Sequence, residues 1–210
     1  MTPHPSAIEA AKTATRGIYE RQARTWDRER PRSLYEKPWL DRFAARIAPG
    51  GRLLDLGCGA GDPVGAYFIA QGFELIGIDY SEAMIDLARE RYPEAEWRVQ
   101  DMRTLDLNGS FDGIFSWDGF FHLTVDEQRT VLPDLADRVR NGGAMLLSVG
   151  PGEGEVTGTV GGETVYHASL SEIEYRDILK KSGFRKITFV AEDPECGGRS
   201  LLMGSDRLVA

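Results

Sequence analysis

The sequence predicts an α/β fold in which a parallel sheet is wrapped by helices. Short apolar runs alternate with longer amphipathic stretches after residue 51, which is the pattern of strands and helices in such a sheet. A glycine-rich turn between Gly57 and Gly61 directly follows the first apolar run. The chain has 210 residues, of which 41% are hydrophobic and 28% charged, so its composition is that of one folded globular domain.

Two helices are expected before the sheet. The spacing of Tyr19 and Trp26 predicts one helix over residues 6–30, ended by Pro31, and a second is expected over residues 38–47. Together these helices form an expected N-terminal cap over residues 1–48. The whole chain, residues 1–210, is expected to be one domain, because no repeat or linker divides it.

Seven strands are expected in the rest of the chain, with helices between them. Ser81, Thr124 and Ser171 are residue types that cap helix N-termini, so a helix is expected after each. The helix after Thr124 is expected to run to Arg140 and to be kinked or split at Pro133. The strands are predicted over residues 52–56, 74–79, 96–99, 113–117, 144–149, 187–191 and 199–203.

Residues 150–169 form an insertion that a simple alternation of strands and helices does not require. Their alternating Val and Thr around Gly161-Gly162 indicate a β-hairpin or a flap. Insertions at the carboxyl ends of strands line ligand sites in such sheets, so this segment is expected to form a wall of the active site.

Composition excludes several classes of function. The 25 Lys and Arg against 33 Asp and Glu give a net charge of −8, which repels phosphate backbones, so no nucleic-acid partner is expected. Cys58 and Cys196 lack the spacing of a zinc or iron–sulfur site and predict no disulfide framework. The first residues lack the pattern of a signal peptide, and no run of about 18 apolar residues occurs. A soluble, cytoplasmic protein without a membrane partner is therefore expected.

The strongest chemical signal is Asp55-x-Gly57-x-Gly59-x-Gly61 at the end of the first strand. Glycines at alternate positions let the backbone turn sharply and let a ligand approach closely, which indicates a nucleotide-like ligand. Asp79 ends the next strand, where a carboxylate can accept hydrogen bonds from both ribose hydroxyls. The dinucleotide fingerprint fits poorly, because its sixth position is Asp62 here and an acid at a helix start opposes a pyrophosphate. A sulfonium or an amine would tolerate this acid.

These residues resemble the class I S-adenosylmethionine-dependent methyltransferases. The first motif of that family is similar to residues 55–61, and its second-strand motif is similar to residues 77–81 together with Met84. Gln100-Asp101-Met102 resembles the acidic position that binds adenine, and Asn141-Gly142-Gly143 stands where the family has Pro-Gly-Gly. The resemblance covers roughly residues 40–205, and the segments 117–123 and 192–198 look like those of a bacterial subgroup that acts on small molecules.

The resemblance implies a doubly wound, seven-stranded, mostly parallel sheet with an antiparallel last strand. It also implies S-adenosyl-L-methionine as the cofactor and S-adenosyl-L-homocysteine as the product. The cofactor is expected to lie across the carboxyl ends of the first strands. The residues expected to bind it are Asp55, Gly57, Cys58, Gly59, Gly61, Asp79, Tyr80, Met84, Asp101, Met102, Ser116 and Trp117.

Methyl transfer from a sulfonium mainly requires that a nucleophile be held in line, and a nearby base speeds the loss of its proton. His122 and His167 are the candidate bases, each with the alternative of a purely structural role. Asp118 is either a residue that orients an amine or a loop cap. The side chains expected to contact the acceptor, or else to pack on the sheet, are Tyr19, Trp26, Trp39, Phe121 and Tyr166.

No metal is expected, because the fifth strand ends in Ser148-Val149-Gly150 rather than in acidic or amide ligands. The main hypothesis is direct SN2 methyl transfer to an oxygen or nitrogen of a small molecule. The alternative is a non-catalytic cofactor-binding module that acts through protein partners, and an NAD-dependent dehydrogenase is a third hypothesis that the glycine spacing disfavours. The sequence leaves open the identity of the acceptor and the oligomeric state.

Overall fold

The computed structural model describes residues 5–209, and a seven-stranded sheet forms its centre. The strand order is β3-β2-β1-β4-β5-β9-β8, in which β1 to β5 are parallel and β9 runs antiparallel to both neighbours. The predicted doubly wound, mostly parallel sheet is therefore confirmed. Its strands are β1 (Arg52–Leu56), β2 (Glu74–Asp79), β3 (Glu96–Val99), β4 (Phe111–Ser116), β5 (Val139–Val149), β8 (Phe184–Asp193) and β9 (Arg199–Arg207).

The insertion after β5 is a β-hairpin, as the alternating Val and Thr predicted. Its strands β6 (Gly154–Val160) and β7 (Glu163–Ser169) pair antiparallel around Gly161-Gly162, two glycines with positive φ. The helices are α1 (Pro5–Glu29), α2 (Lys37–Ala44), α3 (Val64–Ala70), α4 (Glu82–Arg91), α5 (Val125–Asp137) and α6 (Glu172–Lys181).

The predicted helix caps are confirmed. The Ser81 hydroxyl accepts a hydrogen bond from the Met84 amide, and Ser171 does the same for Glu174. Thr124 and Glu127 form a reciprocal capping box at the start of α5.

Several predicted bounds are wrong. The helix α2 ends at Ala44 rather than at residue 47, and the strands β4, β8 and β9 span residues 111–116, 184–193 and 199–207 rather than 113–117, 187–191 and 199–203. The helix α5 ends at Asp137 rather than Arg140 and continues through Pro133 as one helix, so the proline does not split it. The strand β5 begins at Val139 rather than at residue 144, and thus includes Asn141-Gly142-Gly143, which was expected to precede the strand.

Side chains from the two faces of the sheet form two separate cores. On one face, Leu54 and Ile76 pack with residues of α5 and α6, and on the other, Leu53 and Leu75 pack with residues of α2, α3 and α4. Adjacent residues of one strand point to opposite faces, which is why Leu53 and Leu54 enter different cores. Each fully buried Leu or Ile stabilises the fold by roughly 1.5–3 kcal/mol.

The helix α1 and the hairpin lie together over the carboxyl ends of the strands. Thr15 on α1 accepts a hydrogen bond from the Tyr166 amide at 2.9 Å, and Arg21 and Gln22 both donate to the Glu163 carboxylate. The order of the sheet reverses between β1 and β4, and crevices at such a switch point are where open α/β sheets bind ligands. No helix among residues 5–209 is both long and apolar enough to cross a membrane.

Candidate functional site

A glycine turn after β1 forms the floor of a cleft at the switch point. Gly57, Gly59 and Gly61 all have positive φ, and the amides of Gly57 and Cys58 donate to the Ile78 carbonyl, which ties the turn to the end of β2. A Cβ at Gly59 would meet nothing closer than Met84 Sδ at 3.9 Å, an ordinary van der Waals distance, so the space above Gly59 is free of close protein contacts. The turn therefore leaves room for a ligand where a side chain would otherwise stand.

Two carboxylates end the two strands beneath this turn. Asp79 Oδ2 accepts from the Gly59 amide at 3.0 Å and Oδ1 accepts from the Ser81 amide at 2.9 Å. Burial raises the pKa of Asp79 to about 6. Burial and then the negative charge of Asp79 raise the pKa of Asp55 well above its usual range. Neither acid has an arginine or lysine within ion-pair distance among residues 5–209. A cationic ligand would therefore offset the free-energy cost of ionising these two buried carboxyl groups.

Apolar and aromatic side chains line the rest of the cleft. Tyr80 and Met84 follow β2, and Met102 follows β3, each at the position predicted for cofactor contact. Trp117 is 6% exposed, and its indole Nε1 is buried without a hydrogen-bond partner in the described part of the chain. Cys58 also lines the cleft, and burial raises the pKa of its thiol well above the usual range, so the thiol stays protonated.

The helix α1 and the residues directly after it supply the other wall of the cleft, including charged residues that the sequence analysis missed. Arg30 is 11% exposed on its side chain and donates to Glu36 at 2.9 Å and to Asp118 at 3.3 Å. Asp27 is bound by both terminal nitrogens of Arg91, and Arg32 pairs with Asp62. The clustering of charged residues around Pro31 is the one sequence signal that could have indicated this wall.

The lining of the cleft is strongly acidic. Arg30 is the one lysine or arginine among the lining residues of the described chain, whereas the aspartates that line it are Asp27, Asp55, Asp62, Asp79 and Asp118. Asp27, Asp62 and Asp118 are paired with arginines, so the carboxyl groups left to favour a cation over a diphosphate are Asp55 and Asp79.

A second cavity of about 660 Å³ adjoins the cleft, within the size range of small-molecule sites. The hairpin, the loop after β5 and the turn after β4 enclose it. Tyr19, Trp26 and Asp118 line both the cleft and this cavity, so the two spaces meet at these side chains. Phe121 and His167 line the second cavity only, as does Arg199, which the sequence analysis missed.

Asp118 is held in place at the junction of the two spaces. It has a positive φ of 56°, and its amide donates to Ser148 Oγ at 2.7 Å. The Arg199 guanidinium binds both carboxylate oxygens, at 2.8 and 3.1 Å, and Arg30 binds one of them. This pairing supports a positioning role for Asp118 and opposes the predicted contact of its carboxylate with an amine.

The two histidines differ in what they can do. His122 Nδ1 lies 2.8 Å from the Tyr166 carbonyl oxygen, which only accepts, so Nδ1 carries the proton and Nε2 accepts from the Tyr19 hydroxyl at 2.9 Å. Both ring nitrogens are therefore already hydrogen-bonded within the protein. The prediction that His122 acts directly as a base is corrected. Burial and then the proximity of His167 lower the pKa of His122 to about 4.

His167 keeps a free imidazole on the wall of the second cavity. Its ring packs on Phe121 with centroids 4.6 Å apart, and no nitrogen of the ring has a hydrogen-bond partner in residues 5–209. A Cβ at Gly158 would lie 2.4 Å from the His167 ring, so that glycine leaves room for the imidazole. Burial lowers the pKa of His167, so the ring is neutral near pH 7 and able to accept a proton.

Two residues predicted to contact the acceptor lie elsewhere. Trp39 is 2% exposed, and its Nε1 donates to Asp193 Oδ2 at 2.8 Å inside one of the cores. Tyr166 is 1% exposed, and its hydroxyl donates to Glu155 at 2.5 Å. Both predictions are corrected, because neither side chain lines the cleft or the second cavity.

Two residues predicted to bind the cofactor also lie outside the lining of the cleft. Ser116 is fully buried, and its Oγ donates to the Leu56 carbonyl and accepts from the Phe120 amide, so it holds the turn after β4. Asp101 is bound through both oxygens by Arg103. Its neighbour Met102 lines the cleft instead.

No group of three or more His, Cys, Asp or Glu in the described chain is arranged to hold a metal ion.

Comparison with known proteins finds similarity in the central part of the chain. Residues 53–143 match the family model described as a methyltransferase domain. A ubiquinone biosynthesis O-methyltransferase of Xanthomonas campestris pv. campestris is 30% identical over 139 residues, which is 60% of this chain and 55% of that protein. The chain spans about half or less of the length of such curated relatives.

Solved structures share the fold. A 1,6-didemethyltoxoflavin-N1-methyltransferase of Burkholderia thailandensis, crystallised with S-adenosylhomocysteine, superposes with a TM-score of 0.69 at 19% identity over 100% of this chain and 92% of that one. The amino pentose methyltransferase CalS10 of Micromonospora echinaspora gives a TM-score of 0.67 at 21% identity, covering 89% of this chain and 96% of that one.

Proposed function

We propose that this chain, a class I methyltransferase by its fold and by the domain match over residues 53–143, methylates a small molecule with S-adenosyl-L-methionine. The methyl group would pass to an oxygen or nitrogen of an acceptor in the second cavity. The observation that carries the proposal is the junction of an acidic, glycine-floored cleft with a cavity of about 660 Å³.

The residues of the cleft suit a sulfonium nucleoside better than a dinucleotide. Asp55 and Asp79 are carboxylates without an ion-pair partner in the described chain, and a positively charged ligand would favour their ionised forms. A pyrophosphate would face Asp62 next to the glycine turn. The open space above Gly59 and the unpartnered Nε1 of Trp117 are further features of a site that a ligand completes.

Individual residues suit individual parts of this cofactor. Asp79 can accept hydrogen bonds from ribose hydroxyls in addition to its two backbone donors, because each carboxylate oxygen has two lone pairs. Asp55 is an acid for an ammonium group, whereas Arg30, the one cation of the described lining, is already paired with Glu36 and Asp118. Met102 and Tyr80 offer apolar faces to an adenine ring.

When bound, S-adenosyl-L-methionine supplies an electrophilic methyl group on a sulfonium. The acceptor's heteroatom forms a bond to that carbon as the S–CH₃ bond breaks, and its proton passes to a base. His167 is the base that we propose, because its neutral imidazole lines the second cavity and has no protein partner among residues 5–209. Tyr19, fixed by His122, would position the acceptor where the two spaces meet.

The alternative of a non-catalytic cofactor-binding module is not supported. Such a module would need no second space beside the cofactor, whereas here Phe121 and His167 line a roomy cavity next to the cleft. The expected single domain and cytoplasmic location remain part of the proposal. The free thiols Cys58 and Cys196 are typical of a reducing compartment.

A labelling experiment tests the proposed function. The protein is incubated with S-adenosyl-L-methionine that carries an isotopic methyl label and with small-molecule pools from a bacterial extract. Label is expected in discrete low-molecular-weight products, and His167→Asn is expected to abolish most of it. Absence of label from every pool, with the cofactor bound, would contradict the assignment as an enzyme.

A further inference from the structure

We infer that the acceptor is a planar aromatic compound without a phosphate group, rather than a sugar or a nucleotide-linked sugar. This inference rests on the proposed function, since it concerns the compound that occupies the second cavity beside the cofactor. Three properties of the cavity carry it: the shape of its walls, the few polar groups left free, and its charge.

Flat rings and aliphatic side chains form the walls. The Phe121 ring meets the His167 ring at 4.6 Å and an interplanar angle of 65°, and Tyr19 meets Trp26 at 5.8 Å and 82°. The two pairs belong to one aromatic cluster, because the His122 ring contacts Tyr19, Phe121 and His167 with centroids 5.1, 4.9 and 5.0 Å away, and another ring can pack on such a cluster. The aliphatic residues of the lining are Val149, Val156, Val160, Val165 and Ala168.

Most polar groups of the lining are already bonded within the protein. The Tyr19 hydroxyl donates to His122, and the Ser169 hydroxyl is bonded to the Gly150 backbone. Asp118 is bound by two arginines. Among lining residues of the described chain, the side chains that keep a polar group without a hydrogen bond are His167, Thr159, Trp26, Glu153, which lies at the exposed edge, and Arg199 through Nη1.

A sugar carries hydroxyl groups around its whole ring, and each one loses water when it enters the cavity. The few free polar side chains of the cavity cannot replace all of those hydrogen bonds, so a sugar would lose hydrogen-bond free energy on binding. An aromatic ring with one or two heteroatoms loses little water and needs few partners. Its single O–H or N–H can donate to His167, and the apolar side chains of the lining can pack against the ring.

The charge of the cavity opposes a nucleotide-linked sugar. Arg199 is the one lysine or arginine of the described chain that lines it, and its Nε and Nη2 are both bound to Asp118 at 2.8 and 3.1 Å. Glu153 adds a negative charge to the same lining. A diphosphate would therefore find no free cation.

Binding measurements with three probes test the inference. The protein, alone and saturated with S-adenosyl-L-homocysteine, is titrated with 2-naphthol, D-glucosamine and thymidine diphosphate, followed by ligand-observed NMR. We expect 2-naphthol to bind at least about 10-fold more tightly than the other two probes, as burial of a fused ring implies. Equal or tighter binding of glucosamine or thymidine diphosphate would overturn the inference, and so would no binding of 2-naphthol.

Two variants locate the probe. Val156 is 54% exposed on the hairpin and lines the cavity, so Val156→Asp is expected to retain the fold and to weaken 2-naphthol binding about 10-fold by placing a charge in the wall. Phe121→Ala removes a stacking ring and is expected to act in the same direction. Ile173→Ala, on a residue that is 75% exposed on α6, is the matched control and is expected to change nothing.

The outcomes separate the two proposals. If S-adenosyl-L-homocysteine does not bind, the proposed function fails, whatever 2-naphthol does. If S-adenosyl-L-homocysteine binds and 2-naphthol does not, or binds equally well to Val156→Asp, only the inference about the acceptor fails.

Discussion

Replacing Asp79 by Asn is expected to weaken the binding of S-adenosyl-L-homocysteine about 10- to 150-fold. The Asp79 carboxylate already accepts from the Gly59 and Ser81 amides at 3.0 and 2.9 Å, and its charge strengthens each further bond that it accepts. A hydrogen bond to a charged group contributes about 1.5–3 kcal/mol, which converts to that range of affinity. Asn keeps one oxygen but sets an NH₂ group against one of the backbone amides.

The pH dependence of binding gives the same prediction a second readout. Burial raises the pKa of Asp79 to about 6, so the group is mostly ionised above that pH and mostly protonated below it. Ribose hydroxyls donate to the ionised form, so the affinity of the unmodified protein is expected to fall as the pH decreases through about 6, by at most about 10-fold per pH unit. Asp79→Asn removes this titration, and it also lowers the pKa of Asp55, because the charge of Asp79 contributes to raising that pKa.

Isothermal titration calorimetry at pH 7.5 and at pH 5.5 measures both effects. Asp134→Asn, on an exposed residue of α5, is the control for the loss of one negative charge and is expected to bind like the unmodified protein. If Asp79→Asn bound with undiminished affinity at pH 7.5, or if its pH profile matched that of the unmodified protein, Asp79 would not contact the cofactor and the reasoning would be refuted.

Three further predictions concern other side chains. His167→Asn is expected to lower turnover about 10²- to 10⁴-fold while leaving the affinity for S-adenosyl-L-homocysteine unchanged, as initial rates and calorimetry would show. Tyr19→Phe leaves His122 Nε2 without its donor and is expected to lower the free energy of unfolding by about 1–3 kcal/mol in urea titrations. Trp39→Phe removes the donor to buried Asp193 and is expected to cost a similar amount of stability, with unchanged turnover.

Each of these has a result that would count against it. Full turnover of the His167 variant would mean that water or another group removes the proton of the acceptor. An unchanged free energy of unfolding for Tyr19→Phe would mean that the bond to His122 is not formed in solution. If Trp39→Phe lost turnover while its stability was unchanged, Trp39 would contact the acceptor after all.

The elements of the fold could largely be predicted from local sequence. The strands β1, β2 and β3 have the predicted bounds, because each is a short apolar run between clear turn or cap signals. The errors arise where tertiary pairing overrides local preference. Asn141-Gly142-Gly143 looks like a turn but lies within β5, because pairing with β4 begins as early as Val139.

The residues on the cofactor side of the site could be predicted, because they lie at the ends of strands and sequence patterns locate strand ends well. Asp55, the glycines of the turn and Asp79 all line the cleft because parallel strands deliver their carboxyl ends to one edge. The direction in which side chains of the hairpin point could not be predicted from the sequence. Tyr166 and His167 are neighbours on β7 and face opposite sides, and only the packing against α1 decides which one meets the cavity.

Long-range pairs were beyond prediction for a related reason. Trp39 bonds to Asp193, 154 residues away, and Arg199 bonds to Asp118, 81 residues away. Nothing in the local pattern around either residue indicates the partner. Such pairs decide whether an aromatic or charged side chain is structural or faces a ligand.

A crystal structure of the protein with S-adenosyl-L-homocysteine tests the central claim most directly. The account predicts electron density for the nucleoside along Gly57 to Gly61, with ribose at Asp79 and the sulfur directed to the junction lined by Tyr19 and Asp118. Density for the ligand at any other place, or a sulfur directed away from the second cavity, would contradict it.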